Sequence, residues 1–492
     1  MNLGRRTIAG SLWNLLANSG QQVINFAFFV YMARLLEPTA FGIMALGLVV
    51  IDFAVSAGRL GLVEICIREE ELDEGLVNQI FWFLQAAGVA LTVIVLLLAW
   101  PAGAAFTAPD LTAILLCLAP VCWLQNLSAI PEARLQRAFG YRALAMRTLA
   151  GSLVGGGVGV AAALLGWGVF ALAFQKITTV VVQNLVLWTS DPWRPSLPGR
   201  IYSAELTRAV RMGAHIAVSG VMQMLNTKLM DLMVAIFLGA AALGQLRTAW
   251  KIFEVLLYCT IQPLSTVSLV AFTRLNGDRV RLFDGYFRMT EVSALALAPL
   301  LLGASAVATL MVPLVFGERW EPAIPILQIL GFMALAGAVD PFFAPMMTVT
   351  GHTEALVRQG AVQTVAAVAL TMCTAPFGLA AVAVGQVVRS FAVAIVGLVM
   401  MKRSIGLPFA TSRRAVWPAF AAAVPMWVAV MLAAPRIPVG PAGSWWQLAL
   451  AVALGATVYG GVLALFFRGE IGELLLRVRS LVRGGGETPE QP

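Results

Sequence analysis

The sequence predicts an all-α membrane protein with about 14 transmembrane helices, arranged as two pseudo-symmetric six-helix lobes plus two accessory C-terminal helices. Three observations support this fold class. Of the 492 residues, 60% are hydrophobic and only 12% are charged, whereas soluble proteins are about 25% charged. Apolar stretches of about 20 residues, the length that a membrane-spanning helix needs, recur along the whole chain. Basic residues concentrate on alternate connecting segments, as in multi-pass membrane proteins.

The apolar stretches define the predicted helices in order. Their approximate spans are 8–31, 40–64, 77–101, 110–130, 143–165, 167–189, 209–237, 241–270, 289–315, 323–349, 355–375, 378–401, 415–434 and 445–467. The longest connections, at about 190–208 and 271–288, are too short to form a soluble domain. The chain is therefore expected to lie almost entirely within the membrane.

Lysine and arginine residues indicate the orientation of the helices. Of the 33 basic residues, 23 fall on the side of the N-terminus, three on the opposite side and seven within the spans. Because cytoplasmic segments are enriched in Lys and Arg, we expect both termini to be cytoplasmic. Most of the net charge of +8 is then explained by orientation, and nucleic acid is not an expected partner.

Residues that carry enzyme and metal chemistry are scarce in this sequence. The five cysteines lie in apolar stretches without a CxxC pair, and His215 and His352 are the only histidines. The sequence has no GxSxG, HExxH or P-loop segment. We therefore expect no cofactor, no metal site and no catalytic residue, and a protein that is not an enzyme.

An internal repeat relates two parts of the chain. A polar stripe in the first predicted helix recurs, at the same helical spacing, in the seventh. The two stripes are Asn14, Asn18, Gln22 and Asn25, and His215, Ser219, Gln223 and Asn226. The following segments match at an offset of 202 residues, which pairs Gly42 with Gly244. Six helices, an even number, separate the copies, so both halves have the same orientation.

The repeat predicts the domain organisation. Residues 1–190 form an N-lobe of six helices and residues 205–402 a C-lobe of six, followed by accessory helices in 403–470 and a cytoplasmic tail in 471–492. Parallel repeats of this kind build transporters whose lobes rock around a shared site, giving alternating access. The alternative is a repeat that serves packing alone.

Several motifs occur in a characteristic order. They are Ala33-Arg34-Leu35-Leu36-x-Pro38-x-x-Phe41-Gly42, Gly61-Leu62 with the acidic run from Glu69 to Glu74, Pro131-x-x-x-Leu135-Gln136-Arg137, and Phe316-Gly317-Glu318-Arg319-Trp320. With them the chain resembles Wzx-type polysaccharide transporters over about residues 5–405. These are flippases of the multidrug/oligosaccharidyl-lipid/polysaccharide exporter superfamily.

The resemblance implies a function and a location. The expected activity is transfer of an undecaprenyl-diphosphate-linked oligosaccharide repeat unit, of exopolysaccharide or O-antigen, from the inner to the outer leaflet of the bacterial inner membrane. The expected partners are this anionic lipid-linked oligosaccharide, membrane lipids, and the polymerase and glycosyltransferases of the same pathway. Without an ATP-binding segment, the expected energy source is an ion gradient.

Ionisable residues inside the spans are the candidate site residues, because each costs at least about 2.5–3.5 kcal/mol to insert. The candidates for the diphosphate are Arg247, Lys251, Lys176, Arg389 and Arg59. Lys228 with Asp231, and Lys251 with Glu254, have the spacing of ion pairs within one helix, which leaves Arg247 unmatched. Structural ion pairs and interfacial arginines are the alternative explanation.

Uncharged and acidic positions complete the predicted site. Polar side chains suited to sugar hydroxyls are Asn18, Gln22, Asn25, Gln223 and Asn226, although hydrogen bonds between helices would use them equally well. Asp52 and Glu254 correspond at the repeat offset and are candidates for ion coupling.

Two other functions fit parts of the sequence. One is a cation-coupled multidrug-type exporter of the same superfamily, which would favour an acidic or aromatic cavity. The other is a membrane-embedded enzyme of glycan assembly, which the short outer loops disfavour.

Overall fold

The structure, a computed structural model, describes residues 20–68, 73–106, 108–138, 140–197, 203–437 and 444–467, and in these ranges the regular elements are all helical. The helices are α1 (20–35), α2 (Pro38–Arg59), α3 (Leu62–Arg68), α4 (Glu74–Ala105), α5 (Pro109–Leu118), α6 (Pro120–Leu127), α7 (Ala129–Arg137), α8 (Tyr141–Leu164), α9 (Val169–Ser190), α10 (Ala204–Leu275), α11 (Arg279–Ala306), α12 (Ala308–Phe316), α13 (Ile324–Leu330), α14 (Ala334–Val339), α15 (Phe343–Val349), α16 (Thr353–Thr374), α17 (Leu379–Ile405), α18 (Phe409–Ala433) and α19 (Ser444–Phe466).

The described residues contain 12 segments that are long and apolar enough to cross a membrane. Eleven of them match predicted spans one to one. The twelfth, Lys228–Leu275, covers the predicted eighth span and the end of the seventh, and half of the predicted first span, residues 8–19, lies outside the described residues. The predicted fold class is therefore confirmed.

α10 is two helices joined at Gly239. This glycine has φ 84° and ψ 173°, a conformation that a residue with a Cβ rarely adopts. We call residues 204–238 the first limb of α10 and residues 240–275 its second limb. The boundary between the predicted seventh and eighth helices is thus a single glycine.

The described residues of the chain fall into two compact units. Unit 1 comprises Met1–Cys259, Val315–Ile326 and Gly360–Arg389, and unit 2 comprises Thr260–Leu314, Leu327–Gln359 and Ser390–Pro492. These units reflect the density of contacts, whereas the predicted lobes rest on sequence symmetry. The division into lobes at 1–190 and 205–402 stays a prediction.

In unit 1, α8 packs closely along α9. A Cβ added to Gly155 or Gly159 would meet side-chain or backbone atoms of Thr179 or Gln175 at less than 3.0 Å. Small residues spaced four apart on α8 therefore let the two backbones approach, which is the usual way that membrane helices associate. A second core, which includes Leu62, Phe81 and Trp193, lies where α3, α4 and α7 meet.

In unit 2, α11 is the central helix. It packs against α14 and α18, and α18 packs against α19. Tyr286 of α11 is fully buried in a cluster with Phe272, Phe342 and Met346. The two predicted accessory helices, α18 and α19, thus belong to this unit, in which α18 packs against both α11 and α19.

The offset of the repeat reappears in the packing of unit 1. A Cβ on Gly42 of α2 would overlap the carbonyl oxygen of Ala240, and a Cβ on Gly244 of α10 would overlap that of Pro38. Gly42 and Gly244 are 202 residues apart, and so are Pro38 and Ala240. We call this reciprocal contact the glycine crossing. It brings the start of α2 against the start of the second limb of α10.

Aromatic side chains surround the start of α2. The indole nitrogen of Trp320 donates a hydrogen bond of 2.8 Å to the carbonyl of Ala33, and its ring packs edge-on against Phe41. Arg34 donates to the carbonyl of Val315 at 2.8 Å. The motif residues used for the family resemblance therefore hold this end of unit 1 together.

Candidate functional site

Seven ionisable residues of unit 1 interact with one another inside predicted spans. We call them the charge cluster. Its members are Asp52 on α2, Lys176 on α9, Lys228 and Asp231 on the first limb of α10, and Arg247, Lys251 and Glu254 on the second limb. Four of them are cations and three are anions, so the cluster has one positive charge in excess.

Arg247 forms an ion pair with Asp231, whose side chain is fully buried. The two residues are equally far from Gly239 along the chain, one on each limb of α10. The sharp turn at this glycine therefore places the limbs side by side. The expectation that Arg247 is unmatched is wrong, because the turn brings it a partner from the other limb.

Asp52 forms the second ion pair, with Lys228. The carboxylate Oδ2 lies 3.1 Å from the ammonium Nζ, and the side chains are 33% and 24% exposed, respectively. The expected pairing of Lys228 with Asp231 is therefore replaced by pairs to other segments. Helical spacing makes a contact possible, but the carboxylate on a neighbouring helix is closer here.

Lys251 and Glu254 form the third pair, at 3.3 Å within the second limb. This pair confirms the alternative that the two residues interact with each other. The Glu254 side chain is 56% exposed. The pair is held by the spacing of one helix and needs no neighbouring element.

Lys176 is the cation of the cluster that forms no salt bridge with any described residue. It lies on α9, half-buried, and it interacts electrostatically with Asp52 and with Lys228. Asp52 therefore faces two ammonium groups. A half-buried cation within a span that forms no salt bridge is the feature that an anionic ligand would satisfy best.

Arg59 belongs to a different group of charges. It donates a hydrogen bond of 2.9 Å to the carbonyl of Gln125, and it interacts electrostatically with Glu132, Arg147 and Glu64. Glu132 in turn pairs with Arg147 at 2.7 Å. Arg59 thus interacts with residues of α6 and α7, and not with Lys176.

The other predicted contacts are only partly described. Arg389 lies half-buried on α17 in unit 1, and Gln22 and Asn25 lie partly exposed on α1. Asn18 and the side chains of Gln223 and Asn226 lie outside the described residues. The proposed sugar contacts of these polar stripes stay predictions.

Sequence reasoning missed the two ion pairs that join different segments. Asp52 and Lys228 lie on helices far apart in the chain, and Asp231 and Arg247 lie on either side of a turn. The signal that points toward them is the repeat, since matched glycines on α2 and α10 indicate that these helices meet. The repeat indicates which helices meet, but it does not indicate which side chains form ion pairs.

In the described part of the chain, no group of three or more His, Cys, Asp or Glu residues is placed to hold a metal ion. The described cysteines Cys66, Cys117, Cys122 and Cys373 are not joined in disulfide bonds. The arrangement can bind an anion by charge and hydrogen bonds.

Comparisons with known proteins agree with this architecture. The family described as polysaccharide biosynthesis protein matches residues 31–325. The lipopolysaccharide biosynthesis protein WzxC of Escherichia coli (strain K12) is 25% identical over 346 residues, 69% of each chain. The succinoglycan biosynthesis transport protein ExoT of Rhizobium meliloti (strain 1021) is 23% identical, over 71% of this chain and 69% of the relative.

Among solved structures, the lipid II flippase MurJ in its inward closed conformation is similar in fold. The TM-score is 0.75 at 13% sequence identity, covering 94% of this chain and all of that chain. At this identity the likeness establishes the fold alone. The chain belongs to the polysaccharide biosynthesis protein family, as a multi-pass membrane protein similar to WzxC and ExoT.

Proposed function

We propose that this protein is a flippase for an undecaprenyl-diphosphate-linked oligosaccharide repeat unit of an exopolysaccharide or O-antigen. It moves this substrate from the inner to the outer leaflet of the bacterial inner membrane by alternating access, without covalent chemistry. Both termini lie in the cytoplasm. The polymerase and the glycosyltransferases of the same pathway are its partners. An ion gradient supplies the energy, with Asp52 and Glu254 as the candidate coupling residues.

The observation that supports this proposal is the excess positive charge of the charge cluster. Three of its four cations have carboxylate partners, and Lys176 has none within salt-bridge distance among the described residues. A diphosphate offers more negative charge than one carboxylate and accepts hydrogen bonds from several donors. Charge-assisted hydrogen bonds of this kind are short and strong.

The relatives support the same class of substrate. WzxC and ExoT are named for lipopolysaccharide biosynthesis and for succinoglycan transport, and MurJ is named as a lipid II flippase. We assign Lys176, Arg247, Lys251 and Arg389 to the diphosphate. We assign Arg59 to a contact that the diphosphate makes before it reaches those four residues. The polar stripes are assigned to the glycan.

The test is substitution of Lys176 in a strain that lacks the chromosomal gene. K176Q is expected to reduce surface glycan about tenfold or more, because a hydrogen bond to a charged group is worth about 1.5–3 kcal/mol. The lipid-linked repeat unit should accumulate in the cytoplasmic leaflet. K402Q, an identical change at an exposed lysine in the last turn of α17, is the matched control.

The proposal has a clear failing outcome. Substitution of Lys176, Arg247, Lys251 and Arg389 together, at normal expression, must abolish glycan display. Intact glycan display in this variant would contradict the assignment of these four residues to the diphosphate. Increased drug susceptibility of the deletion strain with unchanged glycan would instead favour a multidrug-type exporter.

A further inference from the structure

The three ion pairs of the charge cluster differ in how easily an entering anion can reach them. Asp231 is fully buried beneath Arg247, so its carboxylate is not accessible to a ligand. Lys251 and Glu254 are neighbours on one helix and stay together whatever the other helices do. Asp52 and Lys228 are both partly exposed, and they join α2 to the first limb of α10.

Lys176 makes the Asp52 pair different in a second respect. Its ammonium group is attracted by Asp52 and repelled by Lys228. Asp52 also interacts electrostatically with Arg247, but Arg247 has its own partner in Asp231. One carboxylate thus serves the two lysines Lys228 and Lys176. A doubly charged phosphate group would match those two cations better than Asp52 does, because the attraction between charges grows with their product.

We propose that Asp52 is an internal counter-ion that holds Lys228 and Lys176 in the unloaded transporter and competes with the diphosphate of the substrate for them. This inference rests on the proposed function, since it presumes an anionic lipid-linked substrate. It assigns Asp52 the role of a specificity-determining residue. Ligands with a single weak charge fail to displace the carboxylate, whereas a diphosphate succeeds.

Displacement of Asp52 has a mechanical consequence. The ion pair joins α2 to α10, and the glycine crossing joins the same two helices through their backbones. When the diphosphate takes both lysines, the ion pair between α2 and the first limb of α10 is lost, whereas the glycine crossing remains. Binding of the anionic headgroup is thereby coupled to the separation of these helices.

The test is the affinity of the full-length purified protein for farnesyl diphosphate, a soluble isoprenyl diphosphate, with inorganic pyrophosphate in a parallel arm. D52N is expected to bind farnesyl diphosphate at least about fivefold more tightly than wild type, within the usual range of coupling between two sites. K176Q is expected to bind it more weakly. D110N, an identical change at an exposed aspartate in the first turn of α5, is the matched control and should equal wild type.

The two arms distinguish the sources of the phosphate group. Tighter binding of farnesyl diphosphate by D52N, with little binding of pyrophosphate, supports a lipid headgroup. Equal tightening for both probes supports competition for the charge alone, and the lipid then contributes nothing at this site. Both results keep Asp52 as the competitor.

The failing outcomes are separate for the two proposals. If K176Q weakens binding but D52N leaves it unchanged or weaker, the counter-ion role is wrong and the proposed function stands. If wild type binds neither probe and K176Q changes nothing, the substrate class is wrong.

A double variant covers the case in which D52N does not fold. D52N/K228Q removes both charges of the pair and leaves no unmatched charge in it. In K228Q alone, Asp52 is free to pair with Lys176, so this variant should bind poorly. D52N/K228Q should bind farnesyl diphosphate more tightly than K228Q, and equal or weaker binding would overturn the proposal.

Discussion

α2 and the second limb of α10 occupy equivalent positions in the two copies of the repeat, yet they differ far more in charge than in packing. Gly42 and Gly244 are 202 residues apart, and each lies against the backbone of the other copy. Asp52 and Glu254 also correspond. By contrast, the cations Arg247 and Lys251 correspond to the apolar Ala45 and Val49.

This difference separates two requirements on the same helices. The backbone contact is reciprocal, since Gly42 meets Ala240 and Gly244 meets Pro38, as expected if the two copies are related by the predicted pseudo-two-fold axis. The substrate that we propose has no such symmetry, because its headgroup has a charged end and a glycan end. The charges of the site therefore gain nothing from being repeated, and the copies are free to diverge there.

The largest effect on surface glycan is expected from substitutions in the glycine crossing. G42A and G244A each place a methyl group where a carbonyl oxygen now lies, and the partner atom is backbone that cannot rotate away. Each variant is expected to lose surface glycan in the complementation assay, and the double variant to lose it completely. Separation of α2 from α10 is the physical reason.

G157A is the control for these glycine changes. It lies on α8 with no atom within 4 Å of an added Cβ. Alanine is about 1 kcal/mol better than glycine in a helix, so this variant should display glycan normally. Normal display by both G42A and G244A would show that the crossing has no part in transport.

An intermediate effect is expected from the buried ion pair, which has no counterpart in the first copy. Asp231 corresponds to Phe29 and Arg247 to Ala45. R247Q leaves the fully buried Asp231 without its partner and should lower the free energy of unfolding by about 3–5 kcal/mol. D231N should cost less, since the Arg247 side chain is 34% exposed.

Thermal unfolding of the detergent-purified variants checks this order. The double variant D231N/R247Q should be more stable than R247Q, because it leaves no unmatched charge. Equal melting temperatures for wild type and R247Q would mean that the pair does not stabilise the second copy.

The smallest effect is expected from Glu254, the repeat equivalent of Asp52. Its partner Lys251 is three residues away on the same helix, and its side chain is more than half exposed. E254Q should lower the free energy of unfolding by less than R247Q does, because it leaves the partly exposed Lys251 unmatched rather than a fully buried carboxylate. A melting temperature as low as that of R247Q would contradict this ranking of the two pairs.

Much of the fold was predictable because membrane insertion leaves a strong signal in the sequence. The eleven spans that match one to one follow from apolar length alone, and so does the boundary at Gly239, which lies between the predicted spans 209–237 and 241–270. It was also predictable that Lys176, Arg247 and Lys251 lie near other charges. An ionisable residue inside a span is costly to insert and usually faces a charged partner or a water-filled cavity.

The pairing of those charges was not predictable. Spacing along a helix favoured Lys228 with Asp231, but Lys228 pairs with Asp52 and Asp231 with Arg247. Arg59 is a cation within a predicted span, like the other candidates, but it interacts with Glu132, Arg147 and Glu64 and not with the charge cluster. Interactions within one helix are local and can be counted from sequence, whereas those between helices depend on rotation and depth.

The sequence by itself determined that the chain is helical, where eleven of the membrane-spanning segments lie, and the presence of the repeat. These depend on the cost of placing polar groups in a membrane, which acts on each segment separately. The tertiary structure alone decided which charges neutralise one another and which cation, Lys176, forms no salt bridge with a described residue. That outcome depends on how neighbouring helices are set against each other, because electrostatic energy falls steeply with distance and an ion pair requires contact between side chains.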